Sequence, residues 1–446
     1  LYGQAALARP VWAEAREVAV EVLAPPRWSV ATSWPEVALD PAPPDDPQAL
    51  RRVWRFWAED LGHLEDSFVA GGTNLRLDAR PMDDGRLLLV ATQGPLPLSH
   101  DALMEAAARF LVVQRRYVPQ GWAWPAGTRQ VSVLALGHEG DLLEGAGRRG
   151  GVVLELGAEA KRADTLELVA HELFHTLNGH LLVHSAYAER DTLWFKEGVT
   201  SYVAAVSVVR AGYEEEGWFL ERLGAWASDL RGNPWQGQPA AKLHEAQGRQ
   251  DAAALRLPYD RGALVGLLLD AALWDEATGQ GGLERLMGWL LSSFAARGAS
   301  YDEPALREGV VALLGEAEGG RLWEAHLSGT SPLPLDEILG RLGLGLREAT
   351  VPAPYFGLVL GEDQRGWFVV HVEPRSPAAK AGLSAGDRLA GQPNLPTQRI
   401  ASAHLEVIHP AGTWTAILDP EPGQRAVSRV APTSGGGAVW RRLIGR

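Results

Sequence analysis

The residues best suited to chemistry are His171-Glu172-Leu173-Phe174-His175, within the run HELFHTLNGH. On a helix, residues four apart differ by about 40° in azimuth, so both imidazoles project from one face and two ring nitrogens can bind one ion. Glu172 sits beside them, placed to take a proton from a water activated by that ion. Leu166, Val169, Leu173 and Phe174 anchor the same helix in a core. Twenty-two residues beyond His175, in LWFKEGVTSY, comes Glu197. A helix–turn–helix hairpin of that length returns its carboxylate to the histidines and completes a His2Glu set of the catalytic zinc type. The chain has 0 Cys. Thiolate zinc sites, iron–sulfur clusters, disulfides and thiol nucleophiles are therefore excluded, and a transition metal must be held by His and carboxylate. This constellation points to a metallopeptidase with one Zn2+ per chain.

Neighbouring residues weigh less. His180 and His184 lie past Asn178-Gly179, which ends the helix, so they read as exposed loop histidines. Ser201 follows Glu197 by one turn; it is either a hydrogen-bond partner of a ligand or a core-facing hydroxyl. Gly145 to Gly150 matches GxGxxG but runs straight into the strand-like Val152 to Leu156, so it reads as a hairpin turn and not a dinucleotide site. The 17 Trp are scattered from Trp12 to Trp440, which fits core and interface packing.

Around these residues the pattern is α+β. Short strands separated by Pro, Asp and Gly clusters run from Trp12 to about Val90, with an extended loop at 41–47. A helix is expected from Ser99 or His100 to Tyr117, then strands at 130–136 and 152–156. Helices follow at 165–177, 193–211, 261–275, 283–296 and 303–314. From about Pro352 to Leu418 the chain returns to short strands and turns, and Ser-Gly-Gly-Gly at 434–437 reads as a linker to a short tail. With 55 acidic against 42 basic residues and a net charge of −13, nucleic acid is not the expected partner. No apolar run is long enough to span a bilayer. The chain starts at Leu1, so a natural N-terminus, with any signal peptide, is expected to have been removed. The bacterial cell envelope, periplasmic or secreted, is preferred over the cytoplasm as its compartment.

In order, LEDSFVAGG (64–72), HELFH (171–175), WFKEGVTSY (194–202), YDRGALVGLLLD (259–270) and SGTSPLPLDEIL (328–339) resemble the glycyl aminopeptidase family, gluzincin zinc peptidases distantly related to aminopeptidase N. The resemblance implies His171, His175 and Glu197 as zinc ligands and Glu172 as general base and acid. It implies an N-terminal β domain (1–95), a thermolysin-like catalytic domain (96–232), an α-helical domain (233–348) and a PDZ-like domain (349–432), followed by a flexible tail (433–446). Tyr259 then takes the place of the family tyrosine that donates to the tetrahedral oxyanion; without the resemblance, a Tyr after Leu-Pro at a helix start reads as a core or capping residue. Glu144 then takes the place of the carboxylate that binds a substrate's free amine; a solvated loop carboxylate is the alternative reading. Two positions depart from the family. The connector from His175 to Glu197 is short, with Leu177-Asn178-Gly179-His180 where the helix usually continues, and the histidine following the strand-edge Glu is replaced by Gly145.

Tyr355 to Leu360 and SPAAKAGLSAGD (376–387) resemble a bacterial PDZ domain, whose Phe356-Gly357-Leu358 loop would present backbone N–H groups to a peptide carboxylate. Packing against the catalytic domain without binding is the alternative. Pro393 and Pro396 interrupt the expected next strand. The resulting expectation is an aminopeptidase acting on peptide or protein substrates. A PDZ-guided endopeptidase and a catalytically inactive peptide-binding protein are the rival readings.

Overall fold

The computed structural model describes residues 16–36, 52–125, 128–185, 189–248, 251–275, 281–328, 332–363, 365–391, 393, 395, 402–409, 412–433 and 439–445. The expected loop at 41–47, the linker at 434–437 and Pro396 lie outside them. The chain is a mixed α+β protein that divides into two compact units. Leu1–Glu216, Leu269–Gly320 and Arg442–Arg446 form one, and Gly217–Leu268 and Arg321–Arg441 form the other. No helix among the described residues is long and apolar enough to cross a membrane.

The first unit opens with β1 (Arg16–Ala24), β2 (Ser29–Thr32), β3 (Arg52–Asp60), α1 (Leu61–Glu65) and β4 (Val69–Gly72). β1 pairs with β3 and β2 with β4, both antiparallel. Its main sheet comprises β5 (Arg76–Pro81), β6 (Leu87–Gln93), β7 (Gln130–His138), β8 (Leu143–Arg148) and β9 (Gly151–Gly157), in the order β5-β6-β7-β9-β8. β6, β7 and β9 run parallel and carry near-continuous apolar runs such as Val131 to Ala135, as strands covered on both faces require. β5 and β8 close the sheet as antiparallel edges. Because β5 and β6 hydrogen-bond into this sheet, the domain boundary expected at 95/96 falls inside one continuous hydrogen-bonded layer. Short strands punctuated by Pro and Gly look alike in sequence whichever sheet they join.

Strand alternation divides the sheet's side chains between two layers. Leu134 and Val153 pack with Ala31, Phe68 and Leu75 on one face. Val133, Val152 and Leu154 are buried on the other, which lies against the helices. There α2 (His100–Gln114), N-capped by Ser99, lies beside α3 (Arg162–His175), and Gln114 Nε2 donates to the Ala170 carbonyl at 2.7 Å. α3 buries Leu166, Val169, Ala170, Leu173 and Phe174. α4 (Thr200–Arg210) packs on α3. It is braced from below, where the Tyr202 hydroxyl donates to the fully buried Asp270 carboxylate at 2.9 Å and Arg210 pairs with Glu284 at 2.9 Å.

GxGxxG is a β-hairpin, as expected. β8 and β9 are joined through Arg149 and Gly150, and Gly150 takes φ 81, a conformation that glycine adopts without a Cβ clash. Arg149 Nη1 donates to both Asp60 carboxylate oxygens at 3.0 Å, tying the hairpin tip to the start of α1. The same corner buries His63, whose Nδ1 accepts from the Glu59 N–H. Burial, helped by the Arg149 charge, depresses its pKa from 6.5 to about 4 against the opposing pull of Asp60 and Asp66. The unfolded chain therefore binds a proton that the folded one refuses. This contribution is complete above pH 6.5 and is lost as pH falls toward 4, amounting to about 3 kcal/mol. The melting temperature should drop more steeply between pH 6.5 and 4 in the parent chain than in His63→Leu; parallel curves would remove His63 from the acid limb.

The second unit contains helices Glu216–Gly232 and Ala240–Gly248, and then α5 (Ala252–Ala272). The sequence places this last helix start at Arg261, but it begins nine residues earlier, capped by Asp251 Oδ1 accepting from the Ala254 N–H at 2.9 Å. Pro258 lies inside it, and the carbonyl that proline cannot serve, that of Ala254, accepts instead from Gln247 Nε2 at 3.2 Å. Tyr259 is consequently an interior, half-buried helix residue and does not sit at a helix start. Beyond the helices, β10 (Leu344–Tyr355) pairs with β16 (Glu421–Pro432). A five-stranded sheet of β11 (Leu358–Asp363), β12 (Gly366–Val372), β13 (Arg388–Leu389), β14 (Ala403–His409) and β15 (Gly412–Leu418) lies between them in sequence. Its core gathers Phe356, Val369, Leu383, Leu405, Val407 and Leu418. β13 is only two residues long, ending ahead of Pro393.

Candidate metal centre

α3 presents His171 and His175 on one face, one turn apart. Their Nε2 atoms lie 3.1 Å from each other, and Glu197 Oε2 lies 3.4 Å from the first and 3.2 Å from the second. Ligands about 2.05 Å from a tetrahedral ion stand about 3.3 Å apart, so the three atoms already form one face of such a coordination shell. The donor set, two imidazoles and a carboxylate without sulfur, suits zinc. Burial alone would raise the Glu197 carboxyl pKa, but hydrogen bonds from both histidines overrule it and hold the group well below the usual carboxylate range. Burial likewise opposes charge on His175, and the Glu197 carboxylate outweighs it, raising the imidazole.

Each ligand is oriented by a neighbour. His175 Nδ1 is 3.0 Å from the Asn178 carbonyl, to which it can only donate, and this turns Nε2 toward the cluster. Ser201 Oγ is 3.4 Å from His171 Nδ1 and donates to the Glu197 carbonyl at 3.0 Å, so of its two expected readings the ligand contact is the one observed. Glu197 does not sit on the continuous α-helix expected over 193–211. A short helix, Glu189–Leu193, passes into a π-helical turn over Trp194–Val199 before α4 begins. A π turn inserts one extra residue and re-aims the side chains around it, a feature common at functional sites. Gly198, lying inside a helical pattern, is the sequence signal that was available for it.

Glu172 is buried and packs directly on the edge strand. A Cβ built on Gly145 would stand 2.5 Å from Glu172 Cγ and 2.7 Å from its Oε1. At Gly147 it would stand 2.9 Å from the His175 Cβ. Two glycines alternating on β8 thus let the strand backbone approach both the base and a ligand, an approach that any side chain would prevent. The GxG spacing was visible in the sequence, but its meaning was not until α3 lay on top of it. Glu144, expected beside the metal as amine acceptor, alternates to the other face of β8, opposite Glu155 in the next strand, while His138 stands 3.5 Å from Glu155. The structure therefore does not bring Glu144 onto the Glu172 face. His180, expected as an exposed loop residue, is half-buried and pairs through Nδ1 with Asp66 Oδ2 at 3.1 Å; burial opposes ionisation of Asp66, and the His180 bond and charge reverse this and lower it. His184 Nδ1 lies 3.2 Å from the Ser185 carbonyl. Tyr259 belongs to the second unit.

In that unit, Phe356-Gly357-Leu358 enters β11, an edge strand. Gly357 has φ 65, and a Cβ there would stand 2.1 Å from the Ser376 Cβ, so only glycine fits the turn. The Phe356 and Gly357 carbonyls are taken by the N–H groups of Ala378 and Glu373.

A mixed sheet with an antiparallel edge lies beneath an HExxH helix, and a downstream glutamate closes the cluster, the arrangement expected of a metallopeptidase. Residues 164–251 match the family model described as M61 glycyl aminopeptidase. This segment, which carries HELFH and Glu197, is similar to that family, in line with the resemblance read from the sequence. Among solved structures, an aminopeptidase N family protein from Idiomarina loihiensis shares the fold with a TM-score of 0.63 and 20% identity, over 94% of this chain and 77% of that one. A two-domain M1 zinc metallopeptidase, determined as a mutant bound to L-arginine, aligns with a TM-score of 0.50 and 16% identity over 72% of this chain and 65% of its own length. No curated protein matches the chain.

Proposed function

We propose that the protein is a zinc-dependent aminopeptidase. The observation carrying this reading is the triangle of His171, His175 and Glu197 with Glu172 beside it on the same helix. Zinc bound by those three residues would supply Lewis acidity, lowering the pKa of a water and polarising the scissile carbonyl. Glu172 takes one proton from the attacking water as its oxygen bonds to the carbonyl carbon, then delivers that proton to the amine nitrogen as the C–N bond breaks. His171 and His175 are held in one tautomer and orientation by Ser201 and the Asn178 carbonyl. On the family resemblance alone, Tyr259 donates a hydrogen bond to the developing oxyanion, a contact worth most in the transition state. Glu144 is left out of amine recognition because its side chain leaves β8 on the far face.

The test is hydrolysis of matched peptides with free and N-acetylated ends by the zinc-loaded protein. Cleavage confined to free N-termini supports the aminopeptidase. Cleavage of blocked peptides overturns it in favour of an endopeptidase, and C-terminal amidation of those peptides then shows whether the PDZ-like loop at Phe356-Gly357-Leu358 selects a carboxylate. Zinc uptake with no cleavage of either makes the chain a peptide-binding protein. In the same assay Tyr259→Phe should lower kcat with KM little changed; an unchanged kcat would remove it from the oxyanion site.

A further inference from the structure

The connector after His175 is short and leaves the helix at once, yet it is fastened more firmly than a loop needs to be. Asn178 is fully buried. Its backbone carbonyl receives His175 Nδ1 at 3.0 Å, and its side-chain Nδ2 donates to the Phe195 carbonyl at 2.9 Å and lies 3.2 Å from Thr200 Oγ1. Thr200 Oγ1 in turn donates to the Lys196 carbonyl at 2.5 Å. Phe195, Lys196 and Thr200 bracket Glu197 within and just after the π-helical turn. One residue therefore grips both ligand-bearing segments, a histidine by its main chain and the glutamate's turn by its side chain.

We propose that Asn178 is the positioning residue of the metal centre, setting the spacing between Glu197 and the two histidines. The inference rests on the zinc reading of the site. A π turn, held by i→i+5 bonds, is a rare shape, and here side-chain donors from Asn178 and Thr200 add to it at the Phe195 and Lys196 carbonyls. An amide is the side chain suited to the task here, because it supplies N–H donors from a neutral group. Aspartate would bring a carboxylate against the Phe195 carbonyl oxygen, and alanine would remove the side-chain donor that this carbonyl now has. This clamp takes over the task that a longer helix after His175 would otherwise perform.

The experiment compares the parent chain with Asn178→Ala and with the milder Thr200→Val. Zinc dissociation constants come from chelator competition, the d–d absorption spectrum from Co2+-loaded protein, and the melting temperature from metal-free protein. Zinc affinity is expected to fall 10–100-fold in Asn178→Ala, the range typical when a group orienting a ligand is lost. The Co2+ bands should shift and weaken in both variants as Glu197 moves. A melting temperature lowered with the Co2+ spectrum and zinc affinity unchanged would make Asn178 merely structural and overturn the proposal. If Asn178→Ala does not fold, Thr200→Val decides by the same two readouts. Failure of the parent chain itself to bind Zn2+ or Co2+ would overturn the metal centre, and the role of Asn178 with it. Parent binding with unaltered variants would overturn the role of Asn178 alone.

Discussion

Glu172→Gln should load zinc as tightly as the parent chain and hydrolyse peptides about 10³-fold more slowly. The substitution is isosteric, and none of the three clustered donor atoms belongs to residue 172, so the triangle of His171, His175 and Glu197 is left as it stands. What disappears is a group able to accept a proton from water and return it to the leaving nitrogen. General acid–base groups contribute about 10²–10⁴ in rate, and a thousandfold loss is about 4 kcal/mol of barrier. Metal content by chelator competition and kcat on a free peptide are the two measurements. Turnover within tenfold of the parent would mean that another group moves the proton.

Gly145→Ala should produce a similar defect without touching a functional side chain. The added methyl must occupy space now held by Glu172, at 2.5 Å from its Cγ and 2.7 Å from its carboxylate oxygen. Because the obstructing atoms belong to a side chain and not to backbone, Glu172 can leave its rotamer to admit the methyl, at an overpacking cost of about 1–3 kcal/mol. The base, however, is displaced by an ångström or more, and a shift of that size costs about 10² in rate. We expect kcat to fall about a hundredfold with zinc affinity unchanged. Gly147→Ala is the informative contrast, since its methyl meets the His175 Cβ, which cannot swing away, and the loss should appear in zinc affinity. A Gly145→Ala enzyme retaining a third or more of parental kcat would show that the strand does not fix the base.

The ligand triad was legible because it is written in local spacing, four residues along a helix and a carboxylate one hairpin away. Helices with clear apolar periodicity were placed to within a few residues, as at Glu303–Leu314, which matches its expected span. Features that depend on two segments meeting were not legible. The π turn at Trp194–Val199 costs one residue of register and leaves hydrophobic spacing almost intact, so it reads as ordinary helix. The Asp66–His180 pair joins residues from separate elements, and nothing in either segment announces the other. Gly145 looked like the loss of a family histidine; against α3 it is the position where the absence of a side chain admits the base. The start of α5 was missed because Pro258 reads as a boundary, whereas Gln247 supplies the donor that lets the helix run through it.

The order in which the chain is made gives the bracing of α4 another significance. The candidate metal donors and their orienting partners all lie between residues 171 and 201, a stretch that a ribosome releases as one local piece. The unit that encloses them is not complete until much later, since the Arg210 guanidinium donates to the carbonyl of Leu443 and both Leu443 and Ile444 are fully buried. Contacts that close over such a separation form slowly compared with those within a hairpin. During synthesis, therefore, the candidate ligand segment emerges while the shell around it still waits for Leu443 and Ile444.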